Sequence, residues 1–117
     1  MFLTGNWTFL VDIAGKPPLA SEGLCLVNLS SWFYRTSLFP YVDKNGKLNC
    51  IIEDGSSEKA PGTITDVYEY SEDNPMFDCP FFKRVSLVDF VRRLCDSYSL
   101  DGKTEDEIAA QKKSLGV

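Results

Sequence analysis

The chain reads as an α+β domain: a mostly antiparallel sheet of four or five strands with one or two C-terminal helices packed on one face. Three observations lead there. Apolar residues alternate with a period of two as far as Tyr70. Clusters of Gly, Pro, Asn and Asp separate the alternating runs. A stripe with helical spacing begins only after Ser86. At 117 residues, 44% of them hydrophobic and 25% charged, the chain has the size and composition of a single globular domain. Residues 1–82 read as mainly β and residues 83–117 as mainly helical.

Trp7, Phe9, Val11 and Ile13 alternate with Thr8, Leu10 and Asp12, the pattern of a half-buried strand, which Gly15-Lys16-Pro17-Pro18 closes. Leu24 to Leu29 is apolar except for Asn28, so a strand nearer the sheet centre is expected. Tyr41-Val42 and Lys47 to Glu53 flank Asp43-Lys44-Asn45-Gly46 and form a hairpin. Its loop is either a tight type I′ turn or a type I turn followed by a glycine bulge. The loop brushes against a calcium-binding pattern, but its glycine comes two positions early and its flanks are strands. Asp54 to Gly62 is a loop by composition. Thr63 to Tyr70 alternates again, with Ile64, Tyr68 and Tyr70 on one face and Thr65, Val67 and Glu69 on the other. Asp66 breaks the apolar face and points to an edge position.

Ser86-Leu87-Val88-Asp89 supplies a capping hydroxyl with an acid three residues on, so a helix starts there. Leu87, Phe90, Val91, Leu94, Cys95 and Tyr98 form its buried stripe, with Asp89, Arg92, Arg93 and Asp96 opposite. Gly102 stops it. A second helix opens at Thr104-Glu105-Asp106-Glu107 and ends near Lys112-Lys113, the charge order that the helix dipole favours. Its apolar content is thin, so it is expected to dock weakly or serve as a detachable tail.

Cys25, Cys50, Cys79 and Cys95 lie far apart with no Cys-x-x-Cys pair, mostly in apolar surroundings, and read as buried thiols. Without close ligand pairs and without histidine, no metal or cofactor is expected. No signal-peptide pattern or long apolar run is present, so a cytoplasmic location is expected. Phosphate loops and nucleophile motifs are missing too, and no catalytic residue stands out. The expectation is a protein that is not an enzyme.

Charge and aromatics supply two candidate sites. Net charge is −5, which disfavours nucleic acid or an anionic membrane as partner. Over residues 53–78 the balance is −7, from Glu53, Asp54, Glu58, Asp66, Glu69, Glu72, Asp73 and Asp78 against Lys59. With Tyr68 and Tyr70 interleaved, this run suits a basic protein surface. The expected activity is protein binding, of the inhibitor or immunity type, masking a basic partner such as a toxin or nuclease. The alternative site is Trp32-Phe33-Tyr34, three consecutive aromatics that cannot all face one core and would anchor an adaptor or structural subunit. An enzyme without a recognisable motif is the remaining reading.

Overall fold

The computed structural model describes residues 7–14, 24–53, 62–71 and 81–117. The α+β class holds. In chain order the elements are β1 (Thr8–Ala14), β2 (Leu24–Asn28), α1 (Trp32–Ser37), β3 (Leu38–Val42), β4 (Leu48–Ile52), β5 (Gly62–Ser71) and β6 (Phe81–Val85). Helix α2 (Leu87–Ser97), a 3₁₀ turn (Tyr98–Asp101) and α3 (Glu105–Leu115) complete it. Among the described residues every strand pair is antiparallel, in the order β2-β1-β5-β4-β3 with β6 also on β5. Residues 29–37 alone join β2 to β3, the two ends of that path, so the sheet must curl.

Two strand positions are the reverse of the expectation. The Thr63–Tyr70 run is not an edge but the central strand. One side of β5 pairs with β1, while the other takes β4 at Gly62 and Thr63 and β6 at Val67 to Ser71. The apolar Leu24–Leu29 run is not central: β2 is an edge, with Leu24 and Leu26 exposed. Periodicity misleads here because it registers the faces of a strand, whereas edge or centre depends on which backbones pair. Asp66 is tolerated in the centre because Arg84 on the neighbouring strand reaches it at 2.7 Å.

A bulge accounts for a second correction. Asp12 pairs with Asp66 but Ile13 pairs with Ile64, so Thr65 is the extra residue. Ile64 thereby joins Val67 and Glu69 on the inner face, not Tyr68 and Tyr70. Gly62 belongs to β5 and not to the preceding loop. It is there because a Cβ would come within 2.0 Å of Ile13 Cγ2.

The hairpin turn resolves as the type I form with a glycine bulge. The Gly46 N–H donates to the Asp43 carbonyl at 3.0 Å, and Gly46 has φ of +79°. Asp43 Oδ1 accepts from the Asn45 and Lys47 N–H groups, both at 2.9 Å, which holds its carboxyl below the usual range.

The core lies between the concave inner face of the sheet and the helices. Phe9, Val11, Val27, Ile64 and Val67 from the sheet meet Phe90, Val91, Leu94 and Cys95 of α2. Phe9 and Phe90 stack edge-to-face with centroids 5.1 Å apart. Ser86 caps α2 as expected, its hydroxyl accepting the Asp89 N–H. A full capping box between Thr104 and Glu107 starts α3. This last helix is not a loose tail, because Ile108 is buried, Leu115 and Val117 pack against the core, and Lys112 pairs with Asp96.

Cys25, Cys50 and Cys95 are thiols outside any disulfide, and Cys79 lies outside the described residues. Burial pushes the Cys50 and Cys95 thiols up to about 12 and about 11, which makes them core hydrophobes and poor nucleophiles.

Candidate functional site

Register fixes which side chains share the convex outer face. Position by position, Leu26 on β2 lies beside Leu10 on β1, Leu10 beside Tyr68 on β5, and Tyr68 beside Arg84 on β6. One step along, Tyr70 lies beside Phe82, their rings edge-to-face at 5.6 Å. One step the other way, Asp66 lies beside Asp12 and carries its ion pair to Arg84. Phe39 and Tyr41 on β3 extend the same face at its far end, through Ile51. Leu24, Leu26, Phe39, Tyr41 and Phe82 are each 39–54% exposed. The helices pack on the concave side, so among the described residues nothing is seated on this face.

Of the acidic candidates, Asp66, Tyr68 and Tyr70 come together on that surface. Glu69 does not. It projects to the concave side, where Arg93 of α2 holds it at 3.0 Å with Trp7 stacked against the guanidinium at 5.9 Å. Arg93 is therefore not a purely solvated residue of α2. Glu53 is exposed at the end of β4, its N–H donating to the Ser37 carbonyl. Asp54, Glu58, Glu72 and Asp73 lie outside the described residues, as does Asp78.

The aromatic candidates sit on α1, an element that three successive aromatics conceal in the sequence. Trp32 is 66% exposed and Phe33 46%, while Tyr34 turns inward against the core. The helix is pinned by Arg35, which is buried. Its Nε and Nη2 donate to Asp101 at 2.9 and 2.8 Å, and its Nη1 donates to the carbonyls of Leu29 and Ser30. The guanidinium holds the Asp101 carboxyl below its usual range. Sequence alone could not find this pair, since 66 positions separate its members.

A cavity of about 270 Å³ lies between α2 and the concave face, lined by Phe9, Glu69, Val85, Asp89, Arg92, Arg93 and Asp96. Its charges compensate one another: Arg92 pairs with Asp89, Arg93 with Glu69, and Asp96 with Lys112. Among the described residues no three His, Cys, Asp or Glu side chains gather as a metal site. Nor is any described helix long and apolar enough to cross a membrane.

No protein-family model matches this chain, and no curated protein or solved structure matches it either. Its geometry must carry the functional reading.

Proposed function

We propose that this chain is a cytoplasmic protein-binding module that docks a basic partner on the convex face of its sheet, in the manner of an inhibitor or immunity protein. It acts by covering a surface on that partner, not by turning over a substrate. The observation that carries the reading is the convergence of Asp66, Tyr68, Tyr70 and Phe82 on one face that the helices leave open. Tyrosines bring large contact area with a polar tip. Among the described residues, Asp12 and Asp66 set two carboxylates beside them against the single Arg84, a balance that favours arginine or lysine across the interface. The net charge of −5 adds long-range attraction for a basic protein.

The test uses the partner recovered with the full chain from its source cells. Asp66→Lys with Tyr68→Ala should weaken binding more than tenfold, above about 1.4 kcal/mol. Association should also slow as salt rises, because the Debye length is only about 8 Å at physiological ionic strength. Unchanged affinity would refute the convex-face site. The exposure of Trp32 and Phe33 favours a second reading, an adaptor that binds through α1. In that case Trp32→Ala raises the dissociation rate with little salt dependence, and the convex-face variants bind normally.

A further inference from the structure

Among the described residues, three strands end the sheet: β2, β3 and β6. Exposed edges invite pairing with other chains unless something blunts them. Strand β3 carries Pro40, which has no N–H to offer. Strand β6 carries Lys83 and Arg84, both exposed. Strand β2 has neither device. Its register with β1 runs unbroken from Asn28↔Thr8 to Leu24↔Asp12. It also belongs to the twelve-residue run Gly23 to Tyr34, which holds no Lys, Arg, Asp or Glu in a chain that is 25% charged.

The backbone of β2 is oriented for pairing. The Leu29 N–H donates to the Trp7 carbonyl at 2.8 Å, and hydrogen-bonded positions alternate in an antiparallel pair. Val27 and Cys25 therefore turn their backbone groups toward β1, while Asn28, Leu26 and Leu24 turn theirs away. Among the described residues, β2 pairs with β1 alone. The Leu24 and Leu26 side chains stand 47% and 54% exposed on the convex face.

We infer that two copies of this chain pair through β2, antiparallel about a two-fold axis at Leu26. Residues near such an axis meet their own copies, so an uncharged strand is what self-pairing demands. Leu26 faces Leu26 of the second copy, and Leu24 faces Asn28. The Asn28 carbonyl already accepts the Ser31 N–H at 3.0 Å, so the remaining outward groups close about four hydrogen bonds, and both convex faces run on across the axis. A contact this small gives a weak dimer, with a dissociation constant in the micromolar range. This inference does not depend on the docking site around Tyr68.

Sedimentation equilibrium of the full chain between about 5 and 200 µM should show the mass rising from 13.1 kDa toward twice that value. Leu26→Lys sets two ammonium groups at the axis and should weaken the dimer at least tenfold. Leu24→Lys, farther from the axis, should weaken it less. Amide exchange localises the contact: the Leu26 and Asn28 N–H groups should slow as concentration rises. A single-copy mass throughout would overturn the inference and leave the edge to an extended peptide of another protein. So would a dimer whose Leu26 and Asn28 amides exchange unchanged, or a Leu26→Lys chain that dimerises as tightly as the parent. If Leu26→Lys fails to fold, exchange in the parent chain decides alone.

Discussion

The two faces of the sheet are built from similar residues and put to different uses. On the concave side Phe9, Val11, Val67 and Phe90 are fully buried, and even the charged pair Glu69–Arg93 is half withdrawn from water. On the convex side Leu26, Phe39 and Phe82 are of comparable apolarity and remain exposed, with Asp66 and Arg84 among them. Apolar character by itself does not tell core from docking surface; what lies opposite does. The concave face is expected to carry stability and the convex face recognition, and substitutions on each can separate the two.

The largest effect belongs to the concave face. Phe90→Ala removes the ring that meets Phe9 and should cost about 3–5 kcal/mol in a urea titration. A loss below about 1 kcal/mol would mean that α2 is not docked as described.

Next comes the pin behind α1. Among the described residues, Asp101→Ala leaves the buried Arg35 guanidinium with its two carbonyl partners alone. The cost should be about 1–2 kcal/mol, reduced by water because the Asp101 carboxylate is 29% exposed. A depressed native carboxyl stabilises fully above the unfolded value, about pH 4, and the contribution fades as pH falls through the lowered native value. Acid titration of the parent should show this fading in the interval below about pH 4, and Asp101→Asn should lack it. An identical acid profile for the two would contradict the pairing.

Smaller still are the effects on the convex face. Tyr70→Ser and Phe82→Ser each break the edge-to-face ring pair but leave the core intact. Each should change unfolding free energy by no more than about 1 kcal/mol. Losses as large as that of Phe90→Ala would make this face a second core, and the contrast between the faces would collapse.

Sequence periodicity reached the faces of strands better than their neighbours. The stripe Phe90, Val91, Leu94 and Cys95 was legible because helix packing depends on spacing along one segment. So was the Asp43–Gly46 turn, whose hydrogen bonds are all local. The central place of β5 was not legible, since it depends on β1, β4 and β6 arriving from distant parts of the chain. Strand β6 carries little sequence signal because Phe81 to Val85 is short and sits against the start of α2. Helix α1 was hidden by its aromatics, which favour strands in isolation; buried Arg35, tied to Asp101, holds it in place. Of the acidic candidates, Asp66 and Tyr68 stayed together, while Glu69 fell on the opposite face by strand alternation alone.

Side-chain footprinting with hydroxyl radicals, on the full chain with and without its captured partner, reads the docking surface without altering a residue. If the convex face is the docking surface, oxidation of Tyr68, Tyr70 and Phe82 should fall several-fold in the complex, while Trp32 stays as reactive as in the free protein. Protection of Trp32 and Phe33 with Tyr68 and Tyr70 unchanged would contradict the account and move the site to α1.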